Sequence, residues 1–72
     1  MIVSVNNRVY KMSKKEAEGV LKVASEQVSF GIYAIERKGK IELLNIHCNS
    51  KTELKNKKQL YKKRGFKVYA NE

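Results

Sequence analysis

The stretch SFGIYAIERKGKIELLNIHC, residues 29–48, decides the fold of this chain. Two runs rich in β-branched, aromatic and other apolar residues flank Arg37-Lys38-Gly39, and this arrangement is typical of a β-hairpin. A three-residue loop with Gly39 in the left-handed conformation fits the connection. Both strand faces are largely apolar near the middle, although a half-solvated antiparallel sheet usually has one polar face. The second face therefore meets either another part of the chain or a partner.

The length of this loop determines which side chains share a face of the hairpin. A three-residue loop puts one apolar set together, namely Phe30, Ile32, Ala34, Leu44 and Ile46. It puts a second set on the other face, namely Tyr33, Ile35, Ile41, Leu43, Asn45 and His47. We predict a contact surface on this second face, formed by Tyr33, Ile35 and Leu43. The last strand adds Tyr69 to it. Such a surface could stack bases, pair with a second copy or bind another protein, and the alternative is a set of core-edge residues.

Two helices flank the hairpin, and each begins with the same signal. Ser13 precedes Glu16 by three residues, and Ser50 precedes Glu53 by three, which is the spacing of a capping box. In the first helix, apolar residues then recur at helical spacing: Ala17, Val20, Leu21, Ala24 and Val28. The second helix is predicted to run to about Arg64.

The remaining segments complete an α+β fold in one domain, residues 1–72. Residues 1–12 alternate loosely around Asn6-Asn7, which predicts either a hairpin or one strand with a bulge. A short strand, residues 66–70, closes the chain. The simplest arrangement is an antiparallel sheet of four to five strands with both helices on one face. This order resembles the ferredoxin-like βαββαβ arrangement with an extra N-terminal strand, in topology only.

Size and composition limit the class of protein. The chain has 72 residues, no proline, no tryptophan and one cysteine, so it has no internal disulfide and no cysteine-based zinc site. We expect a reducing, cytoplasmic setting. No apolar run has the length of a signal peptide core or of a membrane span, so no membrane partner is predicted.

The glycine of KKRGFKVYA, residues 62–70, has two interpretations. Arg64-Gly65-Phe66 matches the start of the strand with which ferredoxin-like RNA-binding domains recognise RNA. The match then fails, because Lys67 stands where a small residue belongs and the stretch is the last strand rather than the third. Basic residues followed by a glycine are typical of a helix C-terminus, and this is the interpretation we favour.

Charge is concentrated in the second helix. Residues 51–67 hold eight Lys or Arg and one Glu, whereas the other 55 residues hold eight bases and six acids. Four lysines recur at the spacing i, i+4, i+7 and i+11, which predicts a straight stripe along the helix: Lys51, Lys55, Lys58 and Lys62. Like charges four residues apart weaken a helix, so helix stability does not explain the stripe. It is either a solvated face or a surface that binds phosphates or acidic side chains.

Other basic residues could extend this surface. Three lie at or after the end of the helix, namely Lys63, Arg64 and Lys67, and three lie at the hairpin tip, namely Arg37, Lys38 and Lys40. Charged hairpin tips are also common for solubility alone.

No catalytic site can be identified. His47 and Cys48 are adjacent, so on a strand they point to opposite faces and cannot act as a pair. The chain has no aspartate, and its glutamates are scattered. We therefore predict no enzyme, no metal, no cofactor and no small-molecule substrate.

Two functions remain. The first is a small basic nucleic-acid-binding protein, for DNA or RNA, that contacts phosphates through the lysine stripe. The alternative is a protein-binding module or inhibitor with an acidic protein partner, such as a small regulator of the kind that mobile elements encode. A homodimer through the apolar sheet face would fit the second function.

Overall fold

The computed structural model describes residues 1–72 as a five-stranded sheet with two helices. The elements in chain order are β1 (Ile2–Val5), β2 (Arg8–Lys11), α1 (Lys14–Gln27), β3 (Gly31–Arg37), β4 (Lys40–His47), α2 (Lys51–Lys63) and β5 (Lys67–Asn71). The predicted α+β class is confirmed, and so is each predicted helix and strand. Neither helix has the length and apolar character needed to cross a membrane.

Both hairpins turn on two residues with positive φ. Asn6 and Asn7 have φ of 50° and 66°, so the first twelve residues form a hairpin rather than one bulged strand. In the second hairpin Gly39 is left-handed as predicted, with φ of 76°, but Lys38 is too, with φ of 53°. Arg37 pairs with Lys40 across a two-residue loop, so the predicted three-residue loop is wrong. Turns of this kind match the right-handed twist of the strands they join.

The sheet is mixed, in the order β2-β1-β4-β3-β5. Strands β1 and β4 pair in parallel, whereas the other neighbours are antiparallel. The antiparallel sheet that we predicted is therefore wrong in its central pair, and the ferredoxin-like order is not confirmed. The sheet differs from the prediction because β1 of the N-terminal hairpin pairs with β4 in parallel, which leaves β2 at the edge of the sheet.

The two helices lie on opposite faces of the sheet, which corrects the prediction that both pack on one face. Helix α1 connects the parallel strands β2 and β3, and α2 connects the parallel strands β4 and β5. Both connections move in the same lateral direction, but they leave from strands that run in opposite directions. Since nearly all such connections are right-handed, the helices must fall on opposite faces.

Each helix covers its own apolar cluster. Under α1, four buried residues form the first cluster: Val3, Ala17, Ala34 and Ile41. Under α2, four buried residues form the second cluster: Ile32, Ile35, Cys48 and Leu54. Both sheet faces are apolar because each is the floor of a separate small core. The second face of the hairpin therefore meets another part of the chain, namely α1.

A shift of register in β3 changes which residues share a face. The pairing of β3 with both neighbours shifts between Ile32 and Ala34. Tyr33 packs against the first cluster, whereas Ile35 belongs to the second and is 3 % exposed. The predicted grouping of Ile35 with Tyr33 is therefore wrong, because an irregularity in a strand reverses the alternation of side chains beyond it.

Leu43 and Tyr69 also pack against the first cluster, each half-buried under α1. The contact surface predicted from Tyr33, Ile35, Leu43 and Tyr69 is therefore divided: Ile35 is buried in the second cluster, whereas the other three are half-buried beside the first.

The helix ends follow the local signals closely. The Ser13 hydroxyl accepts from the Glu16 backbone N–H and the Glu16 carboxylate accepts from the Ser13 backbone N–H, which completes the predicted capping box. At α2 the Ser50 hydroxyl accepts from the Glu53 N–H at 3.1 Å, but the Glu53 carboxylate accepts from Asn49 instead. The second box is therefore only half formed.

Helix α2 stops where the glycine predicted a stop. Gly65 has φ of 86°, its N–H donates to the Lys62 carbonyl, and the Phe66 N–H donates to the Tyr61 carbonyl. These bonds form a Schellman motif, in which an apolar contact usually joins the same two outer residues. Here the rings of Tyr61 and Phe66 meet edge to face at 6.2 Å. KKRGFKVYA is therefore a junction between helix and strand.

Candidate lysine groove

The four stripe lysines line one groove along the flank of α2. Lys51, Lys55, Lys58 and Lys62 form its basic wall, and its volume is about 360 Å3. Leu54 and Gln59 of the same helix and Glu72 complete the lining. We call this feature, defined by these seven residues, the lysine groove.

The packing of α2 determines the direction of the stripe. Leu54 is 2 % exposed and Tyr61 packs against the same second cluster, so these two side chains hold the helix on the sheet. Leu60 is 62 % exposed and does not contribute to the core. Because the inward face is this narrow, the lysines are free to lie along the flank near the end of β5, one of the two edge strands of the sheet.

Glu72 is the only acidic residue in the groove lining. Its Oε1 lies 3.0 Å from Nζ of Lys58, whose side chain is 25 % exposed. The hydrogen bond from Lys58 lowers the pKa of Glu72, and the charges of Lys58, Lys51 and Lys62 lower it further. The positive potential of three lysines therefore converges on this carboxylate.

Sequence reasoning missed Glu72, although a signal for it was present. Val68 and Ala70 of β5 pack against the second cluster, under α2. The alternation of side chains along a strand then directs residue 72 to the same side. The relation to Lys58 depends on how β5 sits beside α2, which local patterns do not reveal.

The hairpin tip and the C-terminus of α2 meet at the end of the molecule. Arg37 Nη1 donates to the Arg64 carbonyl oxygen at 3.2 Å, and its guanidinium lies 5.1 Å from the centre of the Phe66 ring. Lys38, Lys40 and Lys63 are exposed. Arg64 borders a separate small cavity, which it shares with Lys57 and Leu60. Of the predicted tip residues, Arg37 contacts the end of α2, and none of the three lines the lysine groove.

Lys67 does not join the groove, which corrects its place in the predicted surface. Strand alternation puts it with Tyr69 on the α1 face, where its Nζ lies 5.1 Å from the centre of the Tyr69 ring. The Tyr69 hydroxyl donates to the Glu36 carboxylate at 2.6 Å. This hydrogen bond, together with burial, raises the pKa of Tyr69 to about 12.

A larger groove, of about 780 Å3, lies between α1 and the strands β1 and β4. Its lining is mainly apolar and includes Val20, Val23 and Leu43. Its single charged residue is Glu16, whose carboxylate takes part in the capping box. This groove therefore lacks the positive charge that a polyanion requires.

His47 and Cys48 belong to no metal-binding cluster. His47 is exposed at the end of β4, and Cys48 is buried in the second cluster. No three His, Cys, Asp or Glu side chains lie close enough to hold a metal ion together.

Comparisons with protein-family models, with curated proteins and with solved structures found no match to this chain. The candidate function therefore depends on the geometry and charge of the lysine groove.

Proposed function

We propose that this protein binds nucleic acid without catalysis and holds phosphates in the lysine groove. The observation that carries the proposal is the meeting of Lys51, Lys55, Lys58 and Lys62 in one concave surface with a single acid. Concave surfaces lined by one sign of charge concentrate the electric field and attract ligands of the opposite sign.

The stripe is not neutralised by its own helix. Glu53 is the one acidic residue of α2, and it pairs with Lys57, which lies outside the groove, at 3.5 Å. Counting side chains, four lysines against the Glu72 carboxylate give the groove lining a charge of +3. Like charges four residues apart destabilise a helix, so helix stability does not account for the stripe, whereas binding of a polyanionic ligand would.

The chemistry of the groove favours backbone contact over base recognition. Lysine presents a flexible point charge, without the two-pronged geometry with which arginine reads a guanine edge. The first and last stripe lysines are eleven positions apart in the sequence, and on a helix this is about 16 Å. That length spans roughly five base-pair steps along the axis of a duplex. We therefore propose low sequence specificity.

The setting we propose is the cytoplasm. Cys48 is unpaired and buried, and small domains that fold without disulfides belong in reducing compartments.

The test compares two variants of equal charge by fluorescence anisotropy with a labelled oligonucleotide. The groove variant is K51Q/K55Q/K58Q/K62Q. The control variant is K11Q/K14Q/K15Q/K22Q, whose lysines are exposed on β2 and α1. We expect the groove variant to lose at least about tenfold in affinity at low salt, and the control to lose much less. Equal losses would mean that net charge alone drives binding, and no binding by the unmodified protein would end the proposal.

One observation favours the alternative partner, an acidic protein segment. Strand β5 pairs only with β3, so its outer edge is open beside the groove. An extended acidic segment could pair with that edge and direct alternate carboxylates toward the lysines. Titration with a glutamate-rich peptide separates the two functions, because tighter binding of the peptide than of the oligonucleotide would favour the protein partner.

A further inference from the structure

The end of β5 holds Glu72 in a defined place over α2. The side chain of Asn71 lies on the opposite face, where its amide donates to the carbonyl oxygens of Ser25 and Val28 at 2.7 and 2.8 Å. These bonds attach the strand end to the last turn of α1. Glu72 therefore extends from an anchored backbone position, and its carboxylate lies against Lys58.

The Glu72 carboxylate makes the contacts with the groove lysines that a bound anion would make at the same position. It accepts a hydrogen bond from the ammonium of Lys58, and Lys51 and Lys62 add their positive charge. A phosphate oxygen would make the same contacts, since ammonium groups donate charge-assisted hydrogen bonds both to carboxylates and to phosphates. The Glu72 side chain remains 64 % exposed. Water can therefore hydrate its carboxylate when another anion displaces it from Lys58.

We infer that the Glu72 carboxylate occupies the principal anion subsite of the lysine groove, centred on Lys58, and that an incoming phosphate displaces it. This inference rests on the proposed function, because it names the subsite and the built-in competitor of the same groove. Glu72 then weakens the binding of any polyanion and limits binding to ligands with several phosphates.

The first experiment measures the affinity for tripolyphosphate and for a single-stranded thymidine oligonucleotide. Glu72→Gln removes the competitor, and Glu26→Gln is the matched control, because Glu26 is exposed on α1 across the sheet. We expect Glu72→Gln to bind both probes about two- to fivefold more tightly, which is the scale of one exposed ion pair. Glu26→Gln should change either affinity by less than about 1.5-fold, because its charge is screened over distance. An equal effect of the two substitutions would overturn the inference.

The second experiment follows the Glu72 carboxyl group by NMR. Lys58→Gln should raise the pKa of Glu72 toward its ordinary value, because the hydrogen bond from Lys58 is the main cause of its lowering. Saturating tripolyphosphate should raise that pKa in the unmodified protein, because a bound phosphate takes the place of the carboxylate at Lys58.

The outcomes separate this inference from the proposed function. If tripolyphosphate binds and displaces Glu72 while the oligonucleotide does not bind, the subsite stands and the nucleic-acid function fails. If the oligonucleotide binds through the groove lysines without any change in the pKa of Glu72, the function stands and the inference fails. If neither probe binds, both fail.

Discussion

Arg37 and Arg64 are joined by a hydrogen bond although they are 27 residues apart: Nη1 of Arg37 donates to the carbonyl oxygen of Arg64 at 3.2 Å. The carbonyl lies at the end of α2, where backbone oxygens have no partner within the helix. The same guanidinium covers the ring of Phe66. Arg37 thus holds the hairpin tip against the helix end, and its positive charge suits the negative end of the helix dipole.

Substitution of Arg37 by lysine should therefore destabilise the fold although it keeps the charge. Lysine loses the planar contact with Phe66 and the directed hydrogen bond, which together should lower the free energy of unfolding by about 0.5–1.5 kcal/mol. Urea denaturation measures this change. The neighbouring exposed Lys38 makes no such contact, so Lys38→Gln is the control and should differ little. A variant Arg37→Lys as stable as the unmodified protein would show that charge alone matters there.

Substitution of alanine for Gly31 and for Gly19 should change the stability of the protein in opposite directions. A Cβ on Gly31 would lie 1.9 Å from the carbonyl oxygen of Ile46, and Gly31 has φ of 150°. Gly31→Ala should cost about 3 kcal/mol or more, because backbone atoms cannot move aside cheaply. A Cβ on Gly19, inside α1, meets nothing within 4 Å. Gly19→Ala should stabilise the protein by about 1 kcal/mol.

Urea denaturation of both variants tests this contrast. A stabilised Gly31→Ala would contradict the close approach of β3 to β4. A destabilised Gly19→Ala would mean that the helix needs glycine there for a reason other than space.

The hydrogen bond between Tyr69 and Glu36 predicts a pH dependence in the alkaline range. The pKa of Tyr69 is raised to about 12 from its ordinary value of 10.0, so the fold favours the neutral phenol. Its contribution to stability is complete below pH 10 and is lost as the pH rises toward 12. We expect one tyrosine ionisation with a midpoint near 12 by ultraviolet absorbance, absent in Tyr69→Phe.

Glu36→Gln provides the second arm of this measurement. Since the hydrogen bond to the Glu36 carboxylate is the largest cause of the raised pKa, this substitution should move the midpoint downward. An unchanged midpoint would assign the shift to burial instead.

Asn71 should stabilise the protein by capping the C-terminal end of α1, for which the neighbouring sequence provides no cap. Helix α1 has no basic residue in its last turn and no glycine at its C-cap, which is Val28. Asn71→Ala removes both hydrogen bonds to its terminal carbonyls and should cost about 1–3 kcal/mol in thermal or urea unfolding. Asn56 is exposed on α2 and its side chain forms no hydrogen bond, so Asn56→Ala should be neutral or slightly stabilising. A loss in Asn71→Ala no larger than in Asn56→Ala would contradict the capping role.

The features that sequence predicted correctly are local ones. The serine caps, the glycine stop at Gly65 and the spacing of the stripe lysines each depend on residues within a few positions of one another. The strand order was not predictable in this way, because a parallel pair between β1 and β4 joins segments separated by a whole helix. The helices were misplaced for the same reason, since their side of the sheet depends on strand directions.

The groove itself was predicted in part. Helical spacing was sufficient to group the lysines, since the helix exists and its inward face is narrow. The position of Lys67 and of Ile35 depended on strand alternation and on the register shift in β3, neither of which composition reveals. Glu72 was missed because its contact with Lys58 joins two elements across a strand–helix interface.

The salt dependence of oligonucleotide binding tests the central proposal most directly. Four neutralised phosphates predict that log K falls with log salt with a slope of about −3, since each contact contributes roughly −0.7 to −0.9. We predict that K51Q/K55Q/K58Q/K62Q loses most of this slope, whereas K11Q/K14Q/K15Q/K22Q keeps it. A flat slope for the unmodified protein, or the same slope for both variants, would contradict phosphate binding in the lysine groove.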